Sequence, residues 1–356
     1  MTHFMGKMIF LIAYFVVFSS FNSILAEENK LDTDTTVAAI TTIENSDSSR
    51  YIPLENFLYG DTQRYIIMGG TPLVETKIKP LNLAIFTGAL AGLFVLQHEL
   101  QMNTIWKEHA EFTIAEDARY DIYIDKAGHF YGAHTASYFF REALVSSGFG
   151  WEASNNLGAG LGLAYSTYIE ILDGYGKNWG FSPSDWYADV LGSVFFAAQN
   201  YFPVLQNFTP KFMYFPAEWT GNKSRIPHEI FMDDYASQVF FMSINVHNLL
   251  PEKWKKYYPD WLELSIGYAV RNILDQNSPA GRGVEACSEC ISLEPGNWGS
   301  PRLIISLDYN MVKLLPDGSN TWNWFKQSLN LLKFPAPALE IGKVTRFYLI
   351  FPFKLI

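Results

Sequence analysis

Charge is scarce in this chain. Only 17% of its 356 residues are Asp, Glu, Lys or Arg, below the roughly 25% usual for soluble domains, so much of the surface is expected to face something other than water. Cysteine is scarcer still, with Cys287 and Cys290 the only two. A zinc site would need two more ligands nearby, and the negative charges of Glu285 and Glu289 disfavour a reactive thiolate. In an exported chain the pair reads as a small local disulfide. Basic charge is also short, 26 Lys and Arg against 36 Asp and Glu for a net −10, which argues against nucleic acid as a partner. The serine-hydrolase GxSxG and zinc-protease HExxH signatures are absent. No Lys-Ser/Thr follows Gly158, Gly160 and Gly162, so that run is not a phosphate loop.

What the chain does have is apolar material, 49% of residues with 16% aromatic, enough to form one large or two medium domains. Lys7 precedes an apolar run from Met8 to Phe18, then a small and polar stretch ends at Ala26 before Glu27 and Glu28. This reads as a secretory leader over residues 1–26; the run is short of the roughly 20 residues a spanning helix needs. No cysteine follows it, which excludes a lipid anchor at a new N-terminal cysteine. Residues 27–50, rich in Thr, Ser, Asp, Asn and Glu, read as a disordered linker. The mature protein is expected to begin near Glu27 and to stay with the membrane fraction.

Residues 51–206 read as helical. Leu81–Gln97 carries no charge, and Gly88 and Gly92 form a GxxxG spacing that lets helices approach closely in an apolar medium. It is a candidate membrane helix, with a buried helix of a soluble bundle as the alternative. Ala127–Ser146, Glu152–Asp173 and Ser184–Phe202 follow, bounded by Gly148, a turn and Pro203. Residues 207–356 change period: Leu262, Leu264, Ile266, Tyr268 and Val270, and again Leu303, Ile305, Leu307, Tyr309 and Met311, alternate with a second set of residues. With Thr345–Lys354 as a third such segment, four to six antiparallel strands are expected. The fold class is α+β, a membrane-associated bundle of about four helices followed by a β-rich region.

The chemistry-bearing residues gather at helix ends. Asp125 and His129 are four apart and share a helix face, with Lys126 beside them; Glu170 and Asp173 are three apart at the next helix's end; Ser184, Asp185 and Asp189 open the third. Neighbouring helices joined by short turns run antiparallel, which predicts one pocket containing all of these groups. Such a set suits a divalent metal, with Asp125, His129, Glu170 and Asp189 as candidate ligands. It equally suits an internal network in which Lys126 neutralises an acid and Ser184 or Asp185 caps a helix, or metal-free acid–base chemistry. His134 is off the His129 face and reads as packed or exposed, and His98 as a complement to a helix C-terminus.

The succession DKAGHF, IEILDG and WGFSPSDWYADVLG resembles the YfiM-like family of envelope proteins of unknown function, and more distantly the VanZ-like membrane proteins. The resemblance covers about 80 residues from Asp125 to near Phe202, on Asp125, Lys126, His129, Glu170, Asp173, Ser184, Asp185, Asp189 and Gly192. It implies an envelope location and a site, without a reaction. Three functions are therefore weighed: binding of a membrane lipid or cell-wall intermediate at the Asp/Glu/His cluster, metal-dependent hydrolysis or transfer on the same class of substrate, and a small outer-membrane β-barrel.

Overall fold

A computed structural model describes residues 50–220, 234–275, 290–294 and 297–353. The leader, nearly all of the linker and Cys287 lie outside the described residues; Cys290 is disulfide-bonded.

After a short hairpin of β1 (Leu58–Tyr59) and β2 (Thr62–Gln63), four long helices follow: α1 (Pro80–Met102), α2 (Ile124–Ser146), α3 (Trp151–Asp173) and α4 (Pro183–Tyr201). Their ends have local causes. Pro80 and Pro183 occupy first-turn positions where a missing N–H costs nothing. Ser182 caps α4 by accepting from the Asp185 N–H at 3.2 Å. Gly148, at φ +86°, makes the left-handed turn that ends α2.

The expected bundle of four is three helices plus one. α2, α3 and α4 pack closely because glycine removes the side chain where they meet. A methyl at Gly158 would lie 2.9 Å from the Arg141 backbone N, and Gly192 faces the backbone of Phe130. α1 stands apart, with none of its most apolar 18-residue window buried. Among the described residues nothing lies within reach of Gly88 or Gly92, so their GxxxG spacing receives none of the described helices. Among the described residues α1 is the one helix long and apolar enough to cross a membrane. Between it and α2 and α3 runs an apolar groove of about 570 Å³, lined by Phe86, Leu90, Phe94, Phe140 and Tyr165 among others.

Among the described residues the second half forms an antiparallel sheet of seven strands: β3 (Phe208–Tyr214), β4 (Gln238–Ile244), β5 (Leu262–Asp275), β6 (Ile291–Glu294), β7 (Asn297–Tyr309), β8 (Ala338–Ile341) and β9 (Arg346–Tyr348). Their order is β3-β4-β5-β7-β8-β9, with β6 also on β7. Short helices α5 (Val246–Leu249), α6 (Glu252–Lys255), α7 (Met311–Leu314) and α8 (Asn320–Ser328) fill the connections. Two expected strand ends are corrected. Met311 begins α7, because the Asn310 side chain accepts from the N–H groups of Val312 and Lys313 and turns the chain. Of the segment from Thr345, Arg346–Tyr348 forms β9 and Ile350 makes an isolated bridge to Phe353, while Lys354 lies outside the described residues. β3 and β9 are the two ends of the strand order, so the described strands do not close into a barrel.

One sheet face packs on Phe351 and Tyr348 together with Met213, Val239, Phe241 and Ile304. The same face also buries charge: Lys211 Nζ lies 2.9 Å from Glu263 and 3.4 Å from Asp308, and Arg271, Arg302 and Arg346 surround Glu340 at 3.5 Å. At one end of the opposite face, Phe240 and Val270 join Ile122 and Ile124 at the start of α2 in a second core, and Tyr131 stacks on Phe212 at 5.5 Å. That contact fixes the helices to the sheet and carries core across the expected boundary at residue 206.

The candidate acid and histidine centre

The start of α2 is set by an unusual turn. Asp121, Ile122 and Tyr123 are three successive non-glycine residues at positive φ (44°, 57° and 66°), each costing on the order of 1 kcal/mol or more. The turn is held from the sheet: Tyr268 donates to the Ile122 carbonyl at 2.6 Å, and Ile122 and Ile124 are buried in the second core. It delivers Asp125 and Lys126 to the first turn of α2 and His129 to the next.

His129 is the hub. Its Nδ1 lies 3.4 Å from Glu170 Oε1 and 3.3 Å from Asp189 Oδ1, and its Nε2 3.6 Å from Asp125 and 3.7 Å from Asp185. Lys126 Nζ closes one side, 2.7 Å from Asp125 and 2.5 Å from both Asp185 and Asp117. Ser182 donates its N–H to Glu170 Oε2 at 3.2 Å and its hydroxyl to Asp117 at 2.6 Å. Asp125, Lys126, His129, Glu170, Asp185 and Asp189 are thus brought together. Ser184 sits at the rim, its hydroxyl 3.4 Å from Asp117. Asp173 is turned aside, accepting from the Trp106 indole N–H at 2.5 Å.

Asp117, Ser182, Trp106 and Tyr235, whose hydroxyl donates to Asp125, were not singled out from sequence. Ser182 had a signal, three residues before Asp185 at a helix start. Tyr235 had none, since it arrives from 110 residues away. His134 is packed as expected, its Nε2 3.1 Å from Gln199 Oε1, and burial lowers its pKa to about 4. His98 lies a turn before the end of α1, its Nδ1 2.6 Å from the Tyr168 hydroxyl.

The charge count is lopsided: six carboxylic acids share one ammonium and one imidazole. Burial, reinforced by the neighbouring acids, raises Glu170 to about 9 and Asp185 to about 8, and burial raises Asp173 to about 7. Asp189 is raised for the same first reason. Burial also opposes the charges of Asp125, Lys126 and His129, but their mutual attraction prevails, so Asp125 is lowered while Lys126 and His129 are raised. Lys126 serves the Asp117, Asp125 and Asp185 side. Glu170 and Asp189 have His129 as their cationic partner, with the Ser182 N–H on Glu170 Oε2 and the Ser166 side chain on Asp189; Glu170 Oε1 and Asp189 Oδ2 are buried oxygens without a hydrogen bond, an arrangement that normally requires a partner. Two triads sharing His129 bring one ligand atom per residue within 4.8 Å of each other: Asp125, His129 and Asp185, and His129, Glu170 and Asp189. The second, with its unsatisfied oxygens and no ammonium, fits a hard divalent cation.

Residues 115–201 match a family model described as Predicted periplasmic lipoprotein (DUF2279). The matched stretch contains Asp117 and every acid, the lysine and the histidine of the centre. It agrees with an exported cell-envelope protein from a family of unknown function, and gives no support to a VanZ-like relationship. The lipoprotein part of the description is a statement about that family; the first cysteine of this chain is Cys287. No curated protein and no solved structure matches the chain.

Proposed function

We propose that this is an envelope protein that binds a phosphate-bearing lipid or cell-wall intermediate through a divalent cation held by His129, Glu170 and Asp189. The observation that carries the reading is the pair of buried, hydrogen-bond-free oxygens on Glu170 and Asp189. An internal packing network would satisfy them, since replacing such a cluster by apolar residues is often neutral or stabilising. Once bound, the cation would supply the positive charge that a phosphate oxygen needs in this acidic pocket. Lys126 would remain the counter-charge of Asp117, Asp125 and Asp185.

The lipid part of the reading rests on the groove beneath α1. Gln97 and Tyr165 line it, and the next residue on α1, His98, pairs with Tyr168 one turn further along α3. Trp106, which packs edge-on against Tyr168 at 6.4 Å, donates to Asp173 at the centre's margin. From the groove's end a row of contacting side chains, Tyr168, Trp106 and Asp173, runs along α3 toward the acidic end, an arrangement suited to an acyl chain in the groove with a phosphate head toward the centre.

The test is metal content and thermal stability of the purified chain after chelation, followed by addition of Mg²⁺, Ca²⁺, Mn²⁺ or Zn²⁺. A cation at a hundredfold excess over its dissociation constant should stabilise by about 2.7 kcal/mol, and Glu170→Gln or Asp189→Asn should abolish the shift while the protein stays folded. Phosphatidic acid should then bind only in the cation's presence. Release of inorganic phosphate would replace the binding role by the hydrolase alternative. Absence of both stoichiometric metal and any cation-induced shift in the unmodified chain would overturn the proposal.

A further inference from the structure

The sheet has the polarity of a membrane protein. On one face β5 and β7 present Glu263 opposite Asp308, Ser265 opposite Ser306 and Ala269 opposite Arg302, and all six are buried. On the other face the directly paired residues are Leu264 with Leu307, Ile266 with Ile305 and Tyr268 with Leu303. The ladder carries this face onward, from Ile305 to Leu339 and from Leu339 to Phe347. Beyond the end covered by α2, this side is open: Ile266 is 46% exposed, Leu303 45% and Phe347 71%. The pattern puts charge inside and aliphatic side chains outside, the reverse of a water-facing sheet and the arrangement of strands whose outer face meets lipid.

The edge of this face identifies what covers it. Immediately before β5, the segment Lys253-Trp254-Lys255-Lys256-Tyr257 exposes Trp254 (52%) and Tyr257 (70%). Lys253 Nζ lies 5.8 Å from the Trp254 ring centre and Lys256 Nζ 4.8 Å from that of Tyr257. In a chain of net charge −10, a run of three lysines interleaved with aromatics at the border of an apolar face is a local exception, with only Lys255 of the three ion-paired among the described residues, to Glu252 at 2.5 Å. It has the composition of the headgroup zone, where tryptophan and tyrosine sit amphipathically and lysine meets lipid phosphate. A second copy of the chain would leave that basic rim facing itself.

We propose that the outer face of β5, β7, β8 and β9 seats against the acyl chains of an anionic bilayer, with Lys253, Lys255 and Lys256 on the phosphates at its edge. This surface is separate from the acid and histidine centre, and the inference stands whether or not that centre binds a cation.

The experiment is flotation of the purified full chain with phosphatidylglycerol-containing vesicles and with phosphatidylcholine vesicles alone. Unmodified protein should float with the anionic vesicles. The triple variant Lys253→Gln, Lys255→Gln, Lys256→Gln, at positions outside the core, should bind them about a hundredfold more weakly, each lysine near the surface being worth roughly fivefold. Ile305→Asp should weaken binding to both vesicle types, with circular dichroism confirming the fold; should that variant not fold, the lysine triple and the unmodified protein still decide the matter. The proposal is overturned if the protein stays behind as a detergent-free soluble monomer. It is equally overturned if the chain is a stable dimer that Ile305→Asp dissociates without altering flotation, since the face would then belong to a second copy.

Discussion

Two glycines, two residues apart on α3, should respond to the same substitution with opposite signs. Gly160 points outward, and a methyl built there meets nothing within 4 Å; a methyl on Gly162 would lie 2.7 Å from the backbone N of Ser137 and 2.9 Å from its Cα. Alanine favours a helix over glycine by about 1 kcal/mol. Gly160→Ala should therefore stabilise by roughly 0.5–1 kcal/mol. At Gly162 the same propensity gain is offset by overpacking, which costs about 1–3 kcal/mol when neighbours can adjust and more here, because the neighbour is the backbone of α2. A net loss of about 2 kcal/mol is expected. For a chain of this size each kcal/mol moves the melting temperature on the order of 2 °C, so thermal unfolding of the two variants should bracket the unmodified protein, up by about 1–2 °C for Gly160→Ala and down by about 4 °C for Gly162→Ala. Because α2 and α3 carry His129 and Glu170, Gly162→Ala should also weaken any cation-induced shift. Equal effects at the two positions, or a stabilised Gly162→Ala, would refute the close-packing account of the bundle.

Two further outcomes follow from other buried groups. His134 titrates near 4 in the fold because burial disfavours its charge, so the unfolded chain binds the extra proton between about 6.5 and 4. Stability from this group is present above pH 6.5 and falls as pH drops to 4, by up to about 3 kcal/mol; His134→Gln should flatten that part of a pH–stability curve, and an unchanged slope would show that His134 is not the group responsible. Lys126→Met removes the one ammonium from three carboxylates at 2.5–2.7 Å and should cost about 3 kcal/mol in cation-free protein, read as a lowered melting temperature; a variant as stable as the parent would mean those acids are held neutral without it.

The helices were legible because their signals are local. The expected Glu152–Asp173 and Ser184–Phe202 are observed as Trp151–Asp173 and Pro183–Tyr201, since a glycine turn or a proline near each end acts within a residue or two. The spacing of Asp125 to His129 and of Asp185 to Asp189 likewise identified which side chains share a face. What arrives from afar was not legible: Asp117 folds back from an extended segment, Trp106 comes from beyond α1, and Tyr235 comes from just before β4. Alternation in β5 and β7 showed that each strand has an apolar face but not which face the molecule buries, because a period of two is symmetric under that exchange. The charged face proved to be the inner one. For α1 the composition suited a membrane helix, with a buried helix of a soluble bundle as the alternative; its exposure disfavours the alternative.

The cost of the centre bears on whether it is more than packing. Three consecutive left-handed residues at Asp121–Tyr123 each carry on the order of 1–3 kcal/mol of strain, and they are tied down by a hydroxyl from β5 rather than relaxed. The strain's local effect is to aim Asp125, Lys126 and His129 at Glu170 and Asp189. Those last two are acids buried to 1% exposure with one oxygen each left without a hydrogen bond. A bundle that needed only cohesion would be as stable with apolar residues at these positions, and the glycine-lined contacts between α2, α3 and α4 already supply close packing. Backbone strain, like-charge burial and unsatisfied acceptors all converge on His129. Each is unfavourable alone, and a bound cation would relieve the electrostatic two together. That convergence is what the proposed cation would explain and packing alone would not.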